Sequence, residues 1–197
     1  MLDIGCGGGV AAFAVTPPAT YIIGVDHQAE MLEMFSHNAS NQGVSSETYL
    51  GYWPEIADEV PMADVVTCHH VVYNVGEIEP FLRALDAHAK NRVVIELPLV
   101  HPTSSNSIGW KYFWNLDRPT SPTADDFLEV VRELGFDAHM EKFSGRLPAA
   151  DSDEDRYEYL RQRLCLPKSR IDEIREFSIK NPAPTSRELA VVWWDKV

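Results

Sequence analysis

The sequence predicts an α/β fold: a mostly parallel, doubly wound sheet with helices on both faces, finishing on an antiparallel hairpin. Three observations predict it. Near-continuous apolar runs alternate with amphipathic stretches through the first hundred residues. The first of those runs ends in a glycine-rich turn, "GCGGG". The chain closes on two strand-like runs separated by a charged helical stretch.

The elements follow in order. "MLDI" (1–4) is a strand stub, and "GVAAFAV" (9–15) is a helix stopped by "TPP" (16–18). "TYIIGVD" (20–26) is a strand ending in an acid. "QAEMLEMFSHNASNQG" (28–43) puts Met31, Leu32, Phe35 and Ala39 on one helical face, with Gly43 as its cap. "ETYLGYWP" (47–54) is a short strand and turn, and "ADVVTCHHVVYNV" (63–75) begins as a buried strand. "IEPFLRALDAHAK" (78–90) aligns Phe81, Leu82, Leu85 and Ala89 on a helix, and "RVVIELPLV" (92–100) is another buried strand. Residues 101–123 are polar and studded with aromatics, and read as an ordered loop with at most one helical turn. Residues 123–136 form a helix with Thr123 as N-cap, Asp125 and Asp126 at its positive end and Gly135 beyond it. "DAHMEKFS" (137–144) alternates like a strand; 151–180 is one or two charged helices broken at Pro167; 187–197 is the last strand. The expected organisation is a single domain over 1–197: a ligand-binding half (1–100), the aromatic loop, and a C-terminal half (124–197) carrying the helical insertion 151–180.

Composition narrows the function. The 45% hydrophobic and 24% charged content is that of a globular chain, and no apolar run approaches the roughly 18 residues of a membrane span. That lack of a span leaves no membrane expected as partner, and a net charge of −13 repels phosphate backbones, so no nucleic acid is expected either. Cys6, Cys68 and Cys165 are widely spaced and odd in number, which argues against a disulfide framework or a structural zinc site. A reducing, cytoplasmic setting is the expectation. A homodimer is an open possibility.

The turn reads Asp3-Ile4-Gly5-Cys6-Gly7-Gly8-Gly9-Val10. A dinucleotide fingerprint counted from Gly5 needs glycine where Val10 stands, and counted from Gly7 needs it at Ala12. No Gly-Lys-Ser/Thr follows, which excludes a P-loop. Asp3 at the strand end repels a pyrophosphate and attracts an ammonium group. S-adenosylmethionine carries an ammonium, a sulfonium and a carboxylate. It suits an acidic strand end beside a glycine turn whose free N–H groups meet the carboxylate. Asp26 ends the second run, 17 residues past Gly9, where an acid can hold two ribose hydroxyls or cap the helix beginning near Gln28.

With "MLDIGCGGG", "IIGVDHQAEML" and "GYWPEIADEVPMADVVTCHHVVYNV" the chain resembles the class I S-adenosylmethionine-dependent methyltransferases, including uncharacterised actinobacterial-type members. The resemblance runs motif by motif over about residues 1–100 and implies a Rossmann-like sheet of about seven strands. It implies that Asp3 reaches the methionine amino group, directly or through water. Gly5, Cys6 and Gly7 would bring the backbone to the cofactor. Asp26 would hold the ribose and His27 lie against the adenine. Gly51, Tyr52 and Trp53 would border the adenine edge, with Trp53 alternatively packing a turn onto the sheet. Cys68 and His69 would form the methionine-side, substrate-facing wall. In the family the first strand is preceded by helices that cover the cofactor. This sequence opens on the strand itself, and upstream residues are expected to raise stability and cofactor affinity.

Methyl transfer needs alignment of a nucleophile with a sulfonium methyl, and a base only where the nucleophile starts protonated. The catalytic candidates are His69, His70 and Tyr73, at the end of the fourth run. Adjacent residues on an extended segment point oppositely, so at most one of the two histidines faces the acceptor, and a two-histidine metal site is disfavoured. Glu96, in mid-strand, is either paired with an arginine or a pocket acid. Trp110, Tyr112, Phe113 and Trp114 either wall a small substrate or pack against the core. "RYEYLRQRL" (156–164) reads as a solvated helix face. The expected activity is methyl transfer to a small molecule. The rivals are a methyltransferase-like binding module without catalysis and an NAD-dependent oxidoreductase.

Overall fold

A computed structural model describes residues 1–147 and 152–196. Asp151, the start of the predicted helical insertion, and Val197, the end of the predicted last strand, lie outside the described residues. The chain divides into two compact units. The first comprises Met1–Leu97, Phe127–Glu141 and Ala190 onward; the second comprises Pro98–Asp126 and Lys142–Leu189.

The strands are β1 (Leu2–Ile4), β2 (Tyr21–Asp26), β3 (Ser45–Leu50), β4 (Ala63–His69), β5 (Ala89–Pro98), β6 (His139–Arg146) and β7 (Ser186–Asp195). They lie in the order β3-β2-β1-β4-β5-β7-β6, a single seven-stranded sheet. β1 pairs in parallel with β2 (Asp3 opposite Gly24) and with β4 (Asp3 opposite Thr67). β2–β3 and β4–β5 are parallel too. β7 runs against β5, as the Lys196 N–H donating to Asn91 O (2.7 Å) and the Leu99 N–H to Glu188 O (3.0 Å) show. It also runs against β6, where the Leu147 N–H donates to Thr185 O at 2.9 Å. This is the predicted α/β sheet with its antiparallel finish.

In the first unit, Leu2, Ile22, Val66, Val93 and Ile95 are fully buried, as expected of strands covered on both faces. Helix α1 (Val10–Ala14) follows the glycine turn. Helix α2 (Ala29–Gln42) buries Leu32, Phe35 and Ala39, the predicted stripe less Met31. It ends in a Schellman-type cap: the Gly43 N–H donates to Ser40 O (3.1 Å) and the Val44 N–H to Ala39 O (3.0 Å). Helix α3 (Ile78–His88) buries Phe81, Leu82 and Leu85. Trp194, from β7, donates its indole N–H to the Asp86 carboxylate at 2.9 Å and stacks on Phe136.

The second unit corrects the reading of 101–123 as a loop. Helix α4 (Ser107–Trp114) occupies its centre. The signal was present: Trp110, Phe113 and Trp114 stand at i, i+3 and i+4, a helical stripe. Trp110 and Phe113 pack against Tyr157, Leu164, Leu166 and Ile174, and the Trp114 indole donates to Leu164 O at 2.7 Å. The aromatic cluster packs against this unit's core. Helix α5 (Ala124–Glu133) opens with the predicted Thr123 cap, whose hydroxyl accepts the Asp126 N–H at 3.3 Å while Asp126 accepts the Thr123 N–H at 2.6 Å. The insertion is two helices, α6 (Asp153–Arg163) and α7 (Ile171–Lys180), broken around Pro167 as predicted. α6 is not simply a solvated face: Tyr157 is buried, and Arg161 donates twice to Glu158 and once to the Leu166 carbonyl.

One glycine fixes how closely α2 approaches the sheet. A Cβ on Gly24 would stand 2.9 Å from both the Cys6 sulfur and the Phe35 ring. Gly24→Ala should cost about 1–3 kcal/mol by overpacking. A urea unfolding curve checks this, and an unchanged midpoint would mean that Phe35 has room to move.

Candidate functional site

The site is built at the C-terminal ends of β1, β2 and β4, where parallel sheets leave a crevice. The turn after β1 is bound to the neighbouring strand: the N–H groups of Gly5 and Cys6 both donate to Val25 O, at 2.8 and 3.0 Å. Gly5 has φ +71°, and a Cβ there would lie 2.4 Å from Val71 Cγ2, so both conformation and space demand glycine. The Gly7 N–H donates to Asp26 Oδ2 at 2.9 Å, and the Asn38 amide on α2 donates to Gly8 O at 2.8 Å. The prediction of free N–H groups is thereby corrected. Those of Gly5, Cys6 and Gly7 are engaged, because the β1–β2 ladder continues into the turn and Asp26 reaches across to it.

Asp26 is buried and serves two elements. Its Oδ1 accepts the Gln28 N–H at 3.0 Å, so it caps the entry to α2, while Oδ2 holds the turn. Each carboxylate oxygen accepts up to two hydrogen bonds, so both retain capacity toward a hydroxyl. The helix-capping reading and a ligand role are compatible in this geometry.

Asp3 is only 1% exposed. Its Oδ1 accepts the Thr67 hydroxyl at 2.8 Å from the facing position on β4. Burial pushes its carboxyl up to about 7, against the lowering effect of the Thr67 bond and with help from the Asp26 charge. Thr67 escaped the sequence reading. Its signal was a lone hydroxyl inside the apolar run "DVVTCH".

At the ends of β2 and β3, His27 and Tyr52 stack with ring centroids 4.9 Å apart and planes at 22°. They are 48% and 62% exposed, a flat aromatic platform beside Asp26. The Gly51 N–H donates to Asp26 O at 3.0 Å, and a Cβ on Gly51 would strike Ile56. Trp53 turns elsewhere: its indole donates to Phe81 O at 3.4 Å and its ring meets His88 edge-on. That is the turn-packing alternative.

On the other side of β1, Cys68 is fully buried and its thiol is pushed well up by burial. Cys6 is buried too, and its thiol is likewise pushed up, so neither is a ready nucleophile. His69 ends β4, half-buried, with its imidazole held below the ordinary range by burial. His70 leaves the extended conformation with φ +60°. Its N–H donates to Glu96 O at 2.8 Å, and its ring Nε2 lies 3.0 Å from Glu96 Oε1. Glu96 is thus paired with a histidine, not with an arginine. Tyr73 lies in the short 3₁₀ turn Val72–Asn74 that follows. Among the described residues, no group of three His, Cys, Asp or Glu side chains is placed to hold a metal ion. Nor is any helix there long and apolar enough to cross a membrane.

Residues 2–94 match the family model described as a methyltransferase domain. The chain is 33% identical over 86 residues to a ubiquinone biosynthesis O-methyltransferase of Aeromonas salmonicida, an alignment covering 43% of this chain and 36% of that protein. The chain spans less than half the length of the curated relatives it matches. The YcgJ protein of Bacillus subtilis superimposes with TM-score 0.63 at 19% identity, covering 99% of this chain and 90% of that one. A methyltransferase of Thiobacillus denitrificans in complex with S-adenosyl-L-homocysteine gives 0.58 at 16% identity, covering 99% and 84%. Residues 2–94 thus match a methyltransferase domain, and the seven-stranded sheet has the fold of these solved structures.

Proposed function

We propose that the protein transfers a methyl group from S-adenosylmethionine to a small-molecule acceptor. The observation that carries this is the pair of buried acids, Asp3 and Asp26, flanking a glycine turn that Asp26 itself holds. In this reading Asp26 accepts the ribose hydroxyls on its remaining lone pairs, and the His27–Tyr52 platform takes the adenine, with Gly51 allowing close approach. Gly5, Cys6 and Gly7 shape the backbone around the methionine portion. Asp3 acts on the ligand ammonium through its charge from beneath the turn. Cys68 and His69 form the wall toward the acceptor, and His69, His70 and Tyr73 are the groups nearest the chemistry. Most of the acceleration comes from alignment and exclusion of water. The O-methyltransferase names of several relatives favour an oxygen acceptor. Three free cysteines, two of them buried, suit a cytoplasmic setting.

Calorimetric titration with S-adenosylhomocysteine, with NADH as control, tests the reading. Micromolar binding of the first alone is expected, and Asp26→Ala should weaken it at least 100-fold by releasing Gly7 and Gln28 together. Binding of NADH in its place would sink the assignment.

Asp3 gives a second prediction with a definite sign. Its carboxyl is raised from 3.8 to about 7 on folding, so the folded chain holds a proton there that the unfolded chain has lost. That stabilisation is complete below about pH 4 and is lost as pH rises through 7. Asp3→Asn keeps an acceptor for Thr67 without the charge. In urea unfolding the variant should exceed wild type by up to about 4 kcal/mol at pH 8, the gap closing toward pH 4. Binding of the ammonium-bearing ligand runs the other way. Wild-type affinity should rise about tenfold from pH 6 to pH 8, as Asp3 ionises, and that of Asp3→Asn should stay flat. Parallel pH profiles for the two proteins would remove Asp3 from ligand binding.

A further inference from the structure

Glu96, which pairs with His70, has no role in the function proposed above. Glu96 stands directly opposite His69 in the β4–β5 register, at the ligand end of the sheet. It holds His70 twice, accepting its backbone N–H at 2.8 Å and facing its Nε2 at 3.0 Å. The carboxylate remains 22% exposed. β4 adjoins β1, and β5 lies one strand further. The pair therefore sits one to two strand spacings, about 5–10 Å, from the glycine turn, on the side away from Asp26 and the aromatic platform. An acceptor and a cofactor placed end to end would divide the crevice in this way.

We infer that Glu96, oriented by His70, is the proton acceptor for the methyl-accepting group, and that this group is an uncharged hydroxyl. The inference rests on the methyltransferase reading above. The chemistry of the pair selects the acceptor. A carboxylate held on one side by an imidazole N–H presents lone pairs to a neutral O–H donor. An aliphatic amine would be held there as its ammonium ion, with the nucleophilic lone pair occupied. A thiolate, phosphate or carboxylate would be repelled by Glu96 and by the net charge of −13. Glu96 takes the hydroxyl proton as the acceptor oxygen forms its bond to the methyl carbon. The C–S bonding pair stays on sulfur, leaving a neutral thioether, and the Glu96 carboxylic acid returns its proton to solvent. His70 is a positioning residue, and Glu96 the catalytic one.

The test uses the whole chain with three probes of similar size: catechol, benzylamine and thiophenol. Each is titrated into the S-adenosylhomocysteine complex and then offered with labelled S-adenosylmethionine. Catechol should bind and be methylated, with the other two at least tenfold slower. Glu96→Gln should lower kcat roughly 10²-fold, the loss of one general base, while S-adenosylhomocysteine affinity stays within twofold. His70→Gln, whose amide N–H can still donate to Glu96, should keep most of kcat, while His70→Ala should lower kcat with the KM for catechol unchanged, a split that a purely structural role would not give. Three results overturn the inference: turnover that survives Glu96→Gln, preference for the amine or thiol, or binding of S-adenosylhomocysteine with neither binding nor methylation of catechol. Failure to bind S-adenosylhomocysteine would overturn the methyltransferase reading itself, and this inference with it.

Discussion

The Asp26 carboxylate receives main-chain N–H groups from two elements at once, Gly7 in the turn after β1 and Gln28 at the entry to α2. The turn, the strand end and the helix start become one unit through a single side chain. The rest of the first unit accommodates this junction. Gly24 lets Cys6 and Phe35 close over β2, Gly5 lets Val71 close over the turn, and Asn38 fastens the turn from the helix side. An asparagine at position 26 would offer one acceptor oxygen where two are used. The acid is thus a structural requirement before any ligand enters.

The same junction carries an electrostatic cost. Two carboxyls are buried in one small region, and the charge of Asp26 is among the causes that push Asp3 up. Without a cation nearby, Asp3 is easiest to keep as the neutral acid. In the proposed reading a ligand ammonium would balance that charge, so the cost of ionising Asp3 and its attraction for the ligand would share one origin.

Much of this was legible from the residues because it follows from period and spacing. The apolar runs gave the parallel strands, the stripe on 28–43 gave α2, and Thr123 with Asp126 gave the cap of α5. Asp26 was readable because it ends an apolar run, and Asp3 because it stands two residues before the first glycine of the turn. What escaped depends on pairings distant in sequence. Thr67 meets Asp3 across 64 residues, and Glu96 meets His70 only because β4 and β5 stand side by side. α4 was missed for a different reason. Its Ser, Pro and Asn surroundings hid a two-turn stripe whose partners, Tyr157 and Ile174, lie far along the chain.

The positive φ of His70 brings its imidazole to Glu96 at the ends of β4 and β5. Had the chain stayed extended, His69 and His70 would have pointed to opposite faces, as alternation requires. The left-handed residue ends β4 and turns the second imidazole toward Glu96 on the neighbouring strand. A non-glycine residue in that conformation costs of order 1 kcal/mol or more and persists where the surroundings fix it. Here they are the two contacts to Glu96, one through the backbone and one through the side chain. A glycine at position 70 would adopt the turn more easily and keep only the first. The sequence holds a histidine where conformation alone favours glycine, which locates the value of the residue in its imidazole.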